Sequence, residues 1–149
     1  MGKTKKRRVG RKLLTAELHD ALRANDETRR AAVMAGAAEP DFVPVVKFFS
    51  PVGSATWLAT ELDEDGDTLF GLADLGFGCP ELGSFSLSEL ASVRLPFGLG
   101  IERDLGFASE VPLSRWAAAA RRAGAIITAE QNFRRAARGD ELPKPEGRG

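Results

Sequence analysis

Between residues 43 and 75 the chain carries three short runs rich in β-branched and aromatic side chains: Val43 to Phe49, Trp57 to Leu62 and Thr68 to Leu75. The segments between them have turn composition, Ser50-Pro51-Val52-Gly53 after the first and Asp63-Glu64-Asp65-Gly66-Asp67 after the second. Parallel neighbours need a crossover of a dozen or more residues, so strands spaced this closely pair antiparallel. The predicted centre of the fold is therefore an antiparallel meander. Asp63, Asp65 and Asp67 alternate around Gly66 as carboxylates do in a calcium loop, but the bidentate Glu at the twelfth position is missing. A tight turn whose Asp-Gly pair supplies positive φ is the simpler reading.

Helices are expected on either side of this meander. Leu14, Leu18 and Leu22 recur at helical spacing behind Thr15, a good N-cap, which predicts a helix over Leu13 to Ala24. Glu27 to Ala38 is predicted as a second, Ala-rich helix or an insertion, ended by Pro40. Gly76-Phe77-Gly78-Cys79-Pro80 reads as a loop, and Ser86-Leu87-Ser88-Glu89 as a capping box opening a short helix to about Arg94. Ile101 to Phe107 is predicted as an edge strand. Ser114 and the Thr128/Gln131 pair are read as caps of two final helices, the first closed by Gly124 and the second by Gly139. The expected domain, residues 13–138, is a small single α+β unit, an antiparallel β-meander packed with N-terminal and C-terminal helices. A basic arm (1–12) and a Pro/Gly/charge tail (139–149) are expected to be disordered.

At 149 residues, one domain accounts for the chain. A single Cys rules out an internal disulfide, and with one His it rules out zinc sites built from Cys/His sets. No run approaches the length needed to span a bilayer, and no apolar stretch follows the basic start, so a cytoplasmic protein is expected. The formal net charge is zero, but it is unevenly placed. Lys3, Lys5, Lys6, Arg7, Arg8, Arg11 and Lys12 fill the first twelve residues without an acid, whereas residues 39–110 hold thirteen acids and three bases, Lys47, Arg94 and Arg103. The arm and the Arg-rich C-terminal segment can reach a polyanion through counterion release. The plainer reading of the arm is a solvated tail, since no aromatic is interleaved for base stacking.

Four stretches, in order, resemble the domain of unknown function 2958 family: Val45-Val46-Lys47-Phe48-Phe49-Ser50-Pro51; Ala55 to Asp63; the Gly/Pro/acid stretch Phe70 to Gly83; and Ile101 to Leu105. The likeness extends over about residues 13–127. It implies a small bacterial protein of the kind encoded on plasmids and other mobile elements among DNA-handling and anti-restriction genes, with no catalytic residue to carry over. Ala73 stands where the family usually has Cys, Ser84 and Trp116 where it has Tyr, and Gly106 where it has an aromatic.

Candidate chemistry centres on Asp74, directly before the Gly76/Gly78 loop, and on Glu81 after it. If the loop folds back, the two carboxylates can bind a metal ion or act as a general acid/base pair. The preferred reading is an Asx turn, Asp74 accepting the amide of Gly76 or Phe77. Arg103, beside Asp104, is expected to face Asp74 or Glu81 as a structural ion pair or an anion clamp. His19 borders the buried stripe of the first helix, and Cys79 reads as a small apolar loop residue. Of the aromatics, Phe77 and Phe97 lie in Gly/Pro loops; ordinary packing is the simpler expectation, and exposure of both would make a docking patch.

These residues point to a non-catalytic binding or accessory protein. Asp74, Gly76, Phe77, Gly78, Glu81, Arg103 and Asp104 would dock a protein partner, and the arm would add weak nucleic-acid contact. No cofactor, resident metal or membrane association is implied. The alternatives are a metal-assisted enzyme using Asp74 and Glu81, and an acidic nucleic-acid mimic directed at a host defence protein.

Overall fold

The computed structural model describes residues 13–139; the basic arm and the tail beyond Gly139 lie outside them. In chain order the elements are α1 (Ala16–Met34), β1 (Val46–Phe49), β2 (Thr56–Leu62), β3 (Thr68–Asp74), β4 (Glu81–Ser86), α2 (Leu87–Ser92), a 3-10 turn (Pro96–Gly98), β5 (Glu102–Arg103), α3 (Leu113–Ala123) and α4 (Ile126–Ala137). The five strands form one antiparallel sheet in the order β4-β3-β2-β1-β5. This is the expected α+β domain, with its meander at the centre.

Helices cover both faces of the sheet, which explains why β2 is buried along its whole length. On one face Leu22 of α1 and Leu87 and Leu90 of α2 pack on Phe48, Trp57, Ala59, Leu62 and Leu69. On the other, Leu113, Trp116, Ala117 and Ala120 of α3, with Ile126 and Ala129 of α4, pack on Leu58 and Leu72. A bulge at Thr60 keeps this division in register. Ala59 pairs with Gly71 but Glu61 with Phe70, so Leu62 returns to the face of Ala59. Gly71 is required there, because a Cβ would stand 1.7 Å from the Leu58 carbonyl oxygen. The bulge carbonyl is satisfied by α1, whose Asn25 Nδ2 donates to Thr60 O at 2.9 Å.

Four expectations need correction. Residues 13–24 and 27–38 do not form two helices but one, α1, capped by Thr15 as predicted and running on to Met34. Its hydrophobic periodicity fades because the buried stripe turns polar: below Leu22 comes Asp26, only 2% exposed and held by Arg23, Arg29 and Arg30 of the same helix. Residues 81–86, unassigned by sequence, are strand β4. The edge strand predicted over residues 101–107 is at the edge but shrinks to Glu102–Arg103. Finally, Ser114 and Thr128 lie inside their helices rather than capping them. The start of α3 is served from 73 residues away, Asp41 Oδ1 accepting the Ser114 amide at 3.1 Å and the Phe42 carbonyl accepting Leu113 N.

Candidate functional site

The acidic turn between β2 and β3 is used for structure. Gly66 has φ +72, as the Asp-Gly pair predicted. Asp65 accepts the amides of Asp67 and Thr68 and the Thr68 hydroxyl, while Asp67 accepts Ser88 N and the Ser86 hydroxyl at the start of α2. These bonds to the ionised form hold both carboxyls below the ordinary range.

Asp74 is fully buried at the end of β3, and it has two partners. Oδ1 accepts Gly76 N at 2.9 Å, the expected Asx turn, and Oδ2 accepts Ile126 N at 2.9 Å. Asp74 therefore starts the loop and also caps α4, placing an anion at the positive end of that helix. Glu81, exposed at the start of β4, pairs with Ala73, so it shares the face of Ala73 while Asp74 points to the other. The register turns the two carboxylates away from each other.

Gly76 and Gly78 adopt φ of +91 and +84, and Pro80 is buried. The loop is thus anchored at Asp74 and Pro80, yet Leu75 is 58% and Phe77 82% exposed. Cys79 is exposed too. Phe97, at 93% exposure and φ +64, likewise departs from ordinary loop packing.

Arg103 does not face Asp74 or Glu81. It lies at β5, the opposite edge of the sheet from β4, and its Nη1 donates to the Leu13 carbonyl at 3.1 Å. Asp104 is part of a cluster around a buried ion pair that sequence reasoning missed. Lys47 Nζ, on β1, donates to Glu130 Oε1 of α4 at 2.6 Å and lies 3.3 Å from Asp104 Oδ2; Arg134 completes the group at 3.5 Å from Glu130. The candidate residues thus fall into two groups, Asp74 to Glu81 at one edge and Arg103 with Asp104 at the other.

A third polar site joins α1 to β2. Arg29 Nε meets Glu61 at 2.5 Å, Arg30 pairs with Asp63 and Arg23 Nη1 donates to Leu62 O at 2.6 Å. The cleft beside it, about 390 Å³, has an apolar floor of Phe70, Leu82 and Leu113. Its carboxylates are already engaged, so no free base faces the space. Among the described residues no group of three or more His, Cys, Asp or Glu side chains is arranged to hold a metal ion, and no helix is long and apolar enough to cross a membrane.

Burial of Asp26 works against its ionisation, but Arg30, Arg23 and Arg29 outweigh this and hold its carboxyl below its ordinary value of 3.8. A depressed folded pKa contributes stability that is complete above the unfolded value and lost as pH falls through the folded one. Thermal melts should accordingly be nearly flat from pH 7 down to about 4 and fall below it. Asp26→Asn, less stable at pH 7, should show a shallower acid limb; an equally steep limb in the variant would assign the acid loss to other carboxylates.

No curated protein and no solved structure matches the chain. Residues 13–127 match the family described as Protein of unknown function (DUF2958), a span that holds all five strands, the loop after Asp74 and the Ile126 amide that Asp74 caps. With most of its length and the whole of its sheet inside that match, the chain belongs to the DUF2958 family.

Proposed function

We propose that this protein is a non-catalytic binding and accessory protein of bacterial mobile-element type, docking a protein partner through the loop at residues 75–80 and touching nucleic acid weakly through the basic arm, which lies outside the described residues. The carrying observation is a fixed loop with an exposed apolar tip. Asp74 and Pro80 hold its ends in the core, while Phe77 and Leu75 remain in water. A loop tied down at both ends loses less conformational freedom on binding, and an aromatic is the residue type that often dominates an interface. Exposed Glu81 adds a charged rim beside it.

The enzyme alternative has less support, because Asp74 is committed to two amides and Glu81 faces away. The nucleic-acid mimic also has less, since Asp26, Glu61 and Asp63 are paired with arginines of α1.

The test is a photo-crosslinking residue placed at Phe77, with Met34, 89% exposed on α1, as the control position. Position 77 should trap a discrete protein adduct in the host cell that position 34 does not. Phe77→Ala should then weaken binding of the identified partner by about 30-fold, corresponding to a hot-spot loss of about 2 kcal/mol. Identical adduct patterns at 77 and 34 would end the proposal.

A further inference from the structure

We propose that the outer face of the α3–α4 hairpin binds the phosphate backbone of double-stranded nucleic acid, independently of the arm. Residues 112–139 hold six arginines, at 115, 121, 122, 134, 135 and 138, and a single acid, Glu130. That acid is buried and already neutralised by Lys47. The excess positive charge of this layer is therefore uncompensated from within it.

The arginines of the two helical layers are used differently. On α1, Arg23, Arg29 and Arg30 are all bonded to carboxylates. On the hairpin, Arg115, Arg121, Arg122 and Arg135 are exposed and their side chains form no hydrogen bond or ion pair among the described residues, and the Arg134 side chain reaches only Glu130. Helix geometry turns three of them outward, while Arg121 lies beside Gly78–Leu82 at the β4 edge and Arg134 beside Asp104 at the β5 edge. The buried stripe of α3 is Leu113, Trp116, Ala117 and Ala120, which leaves Arg115 and Arg122, two turns apart, pointing away from the sheet. In α4 the buried Ile126, Ala129 and Glu130 leave Arg135 outward. The Trp116 and Phe133 rings meet edge to face at 4.7 Å, which packs α3 against α4. Between the charges α3 presents only Ala118 and Ala119, a low surface that lets a rod-like polyanion approach.

Duplex is favoured over single strand because the hairpin's aromatics are not offered for stacking: Trp116 is buried and Phe133 half-buried against it. What remains is charge on charge, which carries no sequence code.

The experiment is fluorescence anisotropy of a labelled duplex of about 20 base pairs with the full-length protein, over 50 to 200 mM salt. The variants are Arg115→Gln/Arg122→Gln/Arg135→Gln, the same three positions changed to Lys, and a deletion of residues 1–12. The Gln variant should bind at least about tenfold more weakly, with the slope of log K against log salt reduced by about 2 to 3. The Lys variant should keep most of both, which separates charge from any effect on folding. Wild-type affinity in the Gln variant, or loss of all duplex binding on arm deletion alone, would overturn the proposal and leave the contact with the arm. Equal weakening by Gln and Lys would assign a structural role to these positions and also overturn it. Phosphatidylglycerol vesicles bound more tightly than the duplex would reassign the face to a membrane. None of these outcomes involves Phe77, so this proposal and the protein-docking reading fail separately.

Discussion

Replacing Lys47 by Met should destabilise the domain by about 3 to 5 kcal/mol, the range found when one partner of a buried ion pair is removed. Lys47 is 8% and Glu130 9% exposed, so the Met variant leaves Glu130 Oε1 in a site that water reaches poorly. Arg134, at 3.5 Å and largely in solvent, compensates only in part. Asp104 suffers less, because its other oxygen still accepts Gly106 N at 3.0 Å. Lys47→Met combined with Glu130→Leu should recover most of the loss, since a buried pair replaced by apolar groups of similar size is often close to neutral. Urea titrations of wild type, both single variants and the double variant would show this as a double-mutant cycle with a large coupling energy. Additive single losses would mean that the pair does not hold α4 to β1.

Features decided by neighbouring residues were legible in the sequence. Thr15 caps α1 because its acceptor and the Leu18 amide are three residues apart, and Gly66 turns the β2–β3 hairpin because an Asp-Gly pair tolerates positive φ wherever it stands. Gly124 closes α3 in the left-handed region for the same reason. Features decided across the fold were not. Ser114 and Thr128 carry the right chemistry for caps, but Asp41 and Asp74 arrive from 73 and 52 residues away and fix the helix starts earlier.

The remaining differences have the same origin. Glu81–Ser86 is a strand with a Gly and two Ser and no apolar alternation; pairing with β3 from Thr68 to Ala73 compensates for its weak propensity. The extension of α1 past Ala24 depends on a stripe of Asp26 and arginines, which no hydrophobic period reveals. Lys47 in a strand reads as a surface charge until α4 is laid over it. The candidate loop was legible as a loop with Asp74 at its start, but its second bond, to α4, required the tertiary structure.

That second bond changes what substitution of Asp74 should do. With one amide to serve, Asn would replace Asp at little cost; with two, it cannot. Asp74→Ala removes both acceptors and leaves Ile126 N unsatisfied in the core and Gly76 N partly so, a loss of about 3 kcal/mol. Asp74→Asn keeps one oxygen but turns an amide NH₂ toward the other donor and removes the anion from the N-terminus of α4, so about 1 to 2 kcal/mol should be lost. The expected order in thermal melts is wild type, then Asn, then Ala, with no change on adding millimolar Mg²⁺. Each variant should also bind the docking partner more weakly without touching it, because the anchor that orders Phe77 is loosened and ordering must then be supplied on binding. A melting temperature raised by Mg²⁺ in the wild type alone would place a cation at Asp74 and restore the metal-assisted alternative. An Asn variant as stable as wild type would show that the bond to Ile126 contributes little, and that α4 is held by its apolar face and Lys47.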